Sequence, residues 1–447
     1  LKKQDGSGVS IMKKINRLII IFIALIVILS SCSNERNETN IGSQLVKSSQ
    51  YSVQKHVPVY LLDAYALVST VEKTHPAFAL NDISDDYERE KQEFIASVSR
   101  DTTEEEFILL VRKYLTVLQD GHTGVRDYSD KRFLDVSCHA NGNELFLIND
   151  DGSLSEERIT HIGGVPVNRI FDTVQTWHVA ENHSARDKNN SMWALNDEVL
   201  KLAGANIESH LAEVTIDNNG AAYKKNVEFV NKDIYEYYYY TYDIKSDIIN
   251  DIFYIDMNTC DVNQNLEAQV EELKKAIREG FTKVIIDVRD NRGGDSEACT
   301  KLLKAMGMNP PSYGGYIRYS DLASKQRNVR SEGFMQYDPD KTKAKRNENI
   351  QLVVLTNEIT YSSATMMAVF VQDGDLGTVI GTPSSNAPSS YGDILYYKLP
   401  ASGIEVSISY KRWLRPDTDA DQRILMPDIV TEYNEDILQR AIDYLNQ

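Results

Sequence analysis

The sequence runs to 447 residues with a formal net charge of −18 and 42% hydrophobic content, enough chain for about three domains and a sizeable core. Its acidic balance repels phosphate backbones and anionic lipid surfaces, which excludes nucleic acid as a partner. Beyond Cys32 only Cys138, Cys260 and Cys299 occur, widely spaced and odd in number, so neither a disulfide framework nor a cysteine zinc site is expected.

Lys13, Lys14 and Arg17 precede an unbroken apolar run from Leu18 to Leu29. The run reads as the hydrophobic region of an export signal, and it is shorter than the roughly 20 apolar residues of a membrane span. Leu29-Ser30-Ser31-Cys32 follows and resembles the lipobox of bacterial lipoproteins. That resemblance implies cleavage before Cys32, a lipid on Cys32, and a chain anchored in the cell envelope facing the periplasm or the cell surface. Met12 then reads as the initiator, with residues 1–11 upstream of it. Removing residues 1–31, which hold five basic and one acidic side chain, takes the net charge from −18 to −22. Residues 32–56 are polar and without period, as suits a flexible tether.

Helical periodicity begins after Pro58, with Leu61, Ala64, Val68 and Val71 on one face and then Tyr87, Phe94 and Val98 after a candidate Ser84 cap. A third helix opens on a Thr103/Glu106 capping box and carries Phe107, Leu110, Val111, Tyr114 and Leu118 as one stripe. Gly121 should stop it, leaving His122 in the loop beyond. Residues 57–127 thus form a helical domain. Residues 128–243 are short and β-like, with a hairpin expected at Asn219-Gly220 and one helical stretch, Asn168 to Trp177. The tract "YEYYYYTYD", 235–243, reads as a covering strand or interdomain linker.

Strand and helix alternate over 244–447. "DIFYIDMN", "KVIIDVRD" and "IQLVVLTN" are continuous apolar strands separated by amphipathic helices, the pattern of a largely parallel α/β sheet covered on both faces. Three further strands, "GTVIG", "DILYYKLP" and "IEVSISYKRW", crowd behind them.

Two junctions in this region carry chemistry. The helix after Ser363 is apolar on every side as far as Val371, so its N-terminus must open into something other than core. Ser362 and Ser363 there could be N-caps satisfying orphan N–H groups. The same position also suits a nucleophile, because free N–H groups and the positive end of the helix dipole stabilise a developing oxyanion. The second junction, "DVRDNRGGDSEA", is a glycine-rich strand-to-helix turn capped by Asp295 or Ser296. It lacks the G-x-x-x-x-G-K-[ST] of a phosphate loop, but a glycine pair permits close backbone approach. A serine nucleophile needs a base, and "LTVLQDGHTGV" places His122 just past a helix end. The eight histidines show no metal-binding spacing.

The ordered series "VIIDVRDNRGG", "LVVLTNEITYSSATMMAVFVQDG", "VIGTPSSNAPSSYGD", "LPASGIEVSISYKRW" and "ILMPDIV" resembles the C-terminal processing, or tail-specific, serine proteases. The broader family includes the tricorn core protease and the interphotoreceptor retinoid-binding proteins. "LQDGHTGV" resembles the signature of the branch that uses histidine in place of lysine. The resemblance spans residues 57–447 and implies an α/β, crotonase-like (ClpP/crotonase) core over 244–447, with an N-terminal helical domain and a degenerate PDZ-like β-rich insertion. "SEERITHIGGVPVNRIFD" matches the inner strand-turn-helix of such an insertion, without a G-L-G-F-like carboxylate loop.

Carried onto this sequence, the resemblance makes Ser362 the nucleophile, His122 the base, and Gly293, Gly294 and Ser363 the oxyanion-hole residues. Asp421 matches the assisting acid, with Asp393 as the alternative. Two positions depart from the family: Thr365 stands where many relatives have glutamate, and Gly121 where the tricorn-like tetrad has serine. The implied activity is endopeptidase hydrolysis of peptides or unfolded proteins through an acyl-enzyme, without metal or organic cofactor. The competing expectation is an inactive relative that binds a peptide or an apolar ligand, with Ser362 as a helix cap.

Overall fold

The computed structural model describes residues 58–127, 129–232 and 243–447. The export signal, Cys32, the tether and most of the tyrosine tract lie outside the described residues, and no described helix is long and apolar enough to cross a membrane.

The first helices are α1 (Val59–Thr74), α2 (Ala77–Leu80), α3 (Tyr87–Ser97) and α4 (Glu104–Thr116). Thr103 and Glu106 form the capping box of α4. The helix ends at Thr116, short of the expected Gly121, because Gln119 turns into the left-handed region at φ 51°. The stripe on α4 packs Phe107, Val111, Tyr114 and Leu115 against α1 and α3, and Leu399, Val406 and Ile408 close the same core from the C-terminal region.

A seven-stranded antiparallel sheet follows. Its strands are β2 (Lys131–Leu134), β3 (Cys138–Asn141), β4 (Glu144–Ile148), β5 (Leu154–Ile162), β6 (Val165–Pro166), β7 (Leu211–Asn218) and β8 (Ala221–Lys232); the two-residue β1 (Gly124–Val125) belongs to another sheet. The β7–β8 hairpin turns on Asn219 and Gly220, both at positive φ, as a tight two-residue turn requires. Three helices rather than one interrupt the strands: α5 (Val167–Gln175), α6 (His183–Trp193) and α7 (Asp197–Ala203). α6 escaped the sequence reading because it buries Asn189 and Asn190 where a periodic apolar stripe would be sought. Their amides bond the Val179 carbonyl and Gln175, which satisfies them internally.

The third layer system is a six-stranded sheet built from β9 (Ile244–Ile249), β10 (Ile252–Met257), β11 (Lys283–Asp287), β14 (Gln351–Thr356), β15 (Thr378–Gly381) and β18 (Ile429–Val430), in spatial order β18-β15-β14-β11-β10-β9. All its pairings are parallel except β9–β10. One face is covered by α8 (Gln264–Arg278), α9 (Ser296–Ala305) and α11 (Ser363–Asp373), and the other by α12 (Ile437–Leu445). α11 is buried from Ser363 to Val371; truncating Met367 to alanine would cost about 2–5 kcal/mol.

Of the three crowded strands, only "TVIG" joins this sheet. The other two, β16 (Tyr391–Lys398) and β17 (Glu405–Leu414), form a separate antiparallel sheet with β1, β12 (Gly314–Arg318) and β13 (Phe334–Tyr337), flanked by the short α10 (Asp321–Arg327).

Candidate active site

β11 and β14 are parallel neighbours, so the loops leaving their carboxyl ends meet above the sheet edge, where open α/β sheets place ligands. The first loop is the glycine turn and the second carries Tyr361, Ser362 and Ser363. They are bonded together: Tyr361 N–H donates to the Asn291 carbonyl (2.9 Å), the Thr360 hydroxyl to Val288 O (2.9 Å), and the Ser363 hydroxyl to Gly294 O (2.8 Å). Gly293 has φ 98°, and a Cβ there would lie 2.6 Å from the Ser362 Cβ. Only glycine lets the two turns approach this closely.

Ser362 itself sits at φ 53°, ψ −124°, a conformation that a non-glycine residue holds only where its surroundings fix it. Asn386 does so, accepting the Ser362 N–H at 2.9 Å. The Ser362 hydroxyl makes no hydrogen bond among the described residues and does not cap its helix. Ser363 is the first residue of α11, so its N–H has no intrahelical acceptor. Of the two glycines expected to stabilise an oxyanion, Gly293 gives its N–H to Asn291 Oδ1 at 2.8 Å. The N–H of Gly294 is engaged by no described residue, which leaves Gly294 and Ser363 as the donors beside Ser362.

His122 arrives from the other side. Its segment pairs with β17, Gly124 opposite Ser407, and the Ser407 hydroxyl donates to His122 O at 2.8 Å. The imidazole lines the same cleft of about 480 Å³ as Ser362, Ser363, Gly294 and Asn386. Its Nε2 is buried without a hydrogen-bond partner among the described residues. Its Nδ1 lies 3.5 Å from the Tyr361 hydroxyl and 3.8 Å from Asp120 Oδ1. Tyr361 OH donates to Glu181 Oε1 at 3.2 Å, so its oxygen is the acceptor for an N–H at His122 Nδ1. Burial and the negative charge of Glu181 push the Tyr361 pKa far up, which keeps it a neutral donor. That arrangement favours the Nδ1–H tautomer and leaves a lone pair on Nε2.

Two buried carboxylates hold this loop, and sequence reasoning assigned a role to neither. Asp120 accepts from the His122 N–H (2.9 Å), Thr123 Oγ1 (2.5 Å) and His75 Nε2 (3.1 Å). Ala77 N–H donates to His75 Nδ1, which fixes the proton of His75 on Nε2. Burial alone would raise the Asp120 pKa, but His75, His122 and Thr123 outweigh it and hold the carboxyl well below the usual range. Glu181 accepts at both oxygens: Oε1 from Gly121 N–H (3.0 Å) and Tyr361 OH, Oε2 from Asn386 Nδ2 (2.7 Å) and Ala387 N–H (2.8 Å). Asp120, His122 and Glu181 bring ligand atoms within 4.8 Å of one another, the spacing of a cation site. Every carboxylate oxygen already accepts from an N–H or O–H, however, so the set reads as a frame for the imidazole.

Asp421 lies elsewhere. It is exposed, its Oδ1 accepts the Arg423 N–H at 2.7 Å and its carbonyl accepts from Arg415, and it does not line the cleft. Asp393 does line it, but its carboxylate pairs with Lys411 and Arg327 rather than with His122. The carboxylates beside the imidazole are Asp120 and Glu181. The expected serine before His122 is replaced for a steric reason: a Cβ on Gly121 would meet the Tyr361 hydroxyl at 2.2 Å. Tyrosine oxygen fills the place that a side chain at 121 would take.

Residues 251–431 match the model of Peptidase family S41. The chain carries an S41 region. That region holds both sheet-end loops, the segment Tyr361–Ser363 and Asn386, whereas His122 and Glu181 come from before it. Among solved structures, mature CPAF complexed with lactacystin superposes with a TM-score of 0.59 at 13% identity, covering 86% of this chain and 96% of that one. Mature CPAF gives 0.59 and 13%, over 86% and 95%. The photosystem II D1 C-terminal processing protease gives 0.45 and 14%, over 84% and 94%. At these identities the CPAF likeness concerns the fold. A search of curated proteins finds no match.

Proposed function

We propose that the chain is a serine peptidase in which Ser362 attacks a peptide carbonyl and neutral His122 takes its proton at Nε2. The N–H groups of Gly294 and Ser363, with the N-terminal dipole of α11, hold the oxyanion; His122 returns the proton to the leaving nitrogen, and water hydrolyses the acyl-enzyme. Glu181 acts through Tyr361 on Nδ1, and Asp120 fixes the loop. The match of the nucleophile and glycine segments to a peptidase family supports the reaction class. The observation that carries the reading is one cleft holding an unbonded Ser362 hydroxyl and a buried, unpartnered His122 Nε2.

A fluorophosphonate probe tests it. Covalent labelling of the parent chain, lost in both Ser362→Ala and His122→Ala, is expected; labelling that survives Ser362→Ala would remove the nucleophile assignment.

The finer reading has a crotonase-like core, a PDZ-like insertion and endopeptidase cleavage of peptides or unfolded proteins at the cell envelope. The anchor at Cys32 belongs to it, and Cys32→Ala should abolish metabolic labelling with a fatty-acid probe.

A further inference from the structure

The peptide between Gly293 and Gly294 decides whether the cleft offers a donor or an acceptor beside Ser362. It is trans, so its carbonyl and its N–H point in opposite directions. Gly293 O accepts the Cys260 N–H at 3.0 Å, and Cys260 is buried and not part of the cleft wall. The carbonyl therefore faces the interior, and the Gly294 N–H faces Ser362. Glycines at φ 98° and 138° flank this bond, and without Cβ atoms they resist a half-turn of the peptide only weakly. Such a turn would bring a carbonyl oxygen to the place where negative charge develops. The orientation has to be held from outside the two glycines.

Asn291 is buried, does not line the cleft and has no part in the reaction scheme. Its Oδ1 accepts the Gly293 N–H at 2.8 Å, and its Nδ2 donates to Met257 O, at the end of β10, at 2.6 Å. The same Nδ2 lies 3.6 Å from Cys260 Sγ, against the residue whose N–H takes the Gly293 carbonyl. Cys260 also accepts the Asp295 N–H at 2.9 Å, so it grips the turn on both sides of Gly294. A Cβ on Gly294 would meet the Cys260 backbone at 3.0 Å. The carbonyl of Asn291 accepts the Tyr361 N–H at 2.9 Å. This one residue thus ties the end of β10, the glycine turn and the segment carrying Ser362 to each other.

We propose that Asn291 is a positioning residue whose side chain locks the Gly293–Gly294 peptide with the Gly294 N–H toward Ser362. Without that side chain the peptide turns over, and the oxyanion site loses a donor and gains a carbonyl oxygen. The catalytic use of the N–H rests on the peptidase reading; the lock itself does not.

The test uses two variants. Asn291→Ala removes both amide contacts, and Asn291→Asp returns an oxygen to the Gly293 N–H. Cleavage of fluorescein-labelled casein, the rate of fluorophosphonate labelling and the melting temperature are measured on each, and crystal structures give the orientation of the peptide. In Asn291→Ala, kcat and the labelling rate should fall about a hundredfold with KM nearly unchanged, because an oxyanion donor acts only in the transition state. Its Gly293 carbonyl should face Ser362. Asn291→Asp should keep the parent orientation and label within about tenfold of the parent rate whatever its melting temperature; a purely structural role would instead rank the proteins by melting temperature. An unmoved peptide in Asn291→Ala, or Asn291→Asp labelling about a hundredfold slower than the parent, overturns the lock. A turned peptide in a chain whose parent neither cleaves nor labels leaves the lock standing and removes the hydrolase reading. Cleavage and labelling by the parent, with the peptide unmoved in Asn291→Ala, does the reverse.

Discussion

The Glu181 carboxylate reaches the backbone of Ser362 through one side chain: Asn386 donates to Glu181 Oε2 at 2.7 Å and accepts the Ser362 N–H at 2.9 Å. Its other oxygen takes the N–H of Gly121, next to His122. One buried acid from the inserted segment thus spaces His122 against Ser362.

Glu181→Gln should therefore impair turnover although it preserves shape. An amide nitrogen cannot accept from Asn386, Ala387, Gly121 or Tyr361, so at least one charge-assisted bond is lost, worth about 2 kcal/mol. A fall in kcat of roughly thirty-fold, with a smaller change in KM, is expected from steady-state kinetics.

Tyr361→Phe removes the oxygen between His122 Nδ1 and Glu181 while keeping the ring. Labelling by the fluorophosphonate probe should slow about tenfold with little loss of melting temperature, since Glu181 Oε1 keeps the Gly121 N–H. Gly121→Ala should do more, because its methyl meets the tyrosine oxygen. Combining the two, which vacates that space, should restore part of the melting temperature lost in Gly121→Ala.

The depressed pKa of Asp120 makes a signed prediction for stability. Its ionised form is favoured in the folded chain, so the stabilisation is complete above the unfolded carboxylate value of about 4 and is lost as pH falls toward the folded value. The melting-temperature gap between the parent and Asp120→Asn should be widest from pH 7 down to about 4 and narrow below that. A gap that widened on acidification would contradict the account of Asp120 as an ionised acceptor.

Lys188 carries the same pH sign in an alkaline window. Its folded pKa, pushed down to about 8 by burial and by Arg292, lies below the value of about 10.4 in an unfolded chain. The unfolded state binds more protons between these values, so this residue's contribution to stability rises with pH from about 8 to about 10.4. Urea titrations of the parent and Lys188→Met should show that rise in the parent alone.

Much of the site was legible because it is local. Ser362, the glycine turn and His122 sit in short runs whose composition already implies a buried helix opening outward, a close backbone approach and a loop past a helix end. Glu181 was not legible: no periodicity or motif surrounds it, and its role exists only through contacts 60 to 206 positions away. Asn386 and Tyr361 were within quoted motifs, but their bonds are tertiary. Asp421 was placed by its nearness to "MPDI" in sequence, whereas the chain there curls around Arg415 and turns the carboxylate onto its own backbone. The parallel sheet was visible as continuous apolar strands. The separation of β16 and β17 from it was not, since apolar patterning does not tell which sheet a strand joins.

Ser362 rides on the parallel sheet and His122 on the edge of the antiparallel one, so the distance between these two side chains belongs to a seam and not to any single element. Loosening that seam would leave both halves folded and silence the chemistry, a failure visible to a suicide probe but invisible to circular dichroism.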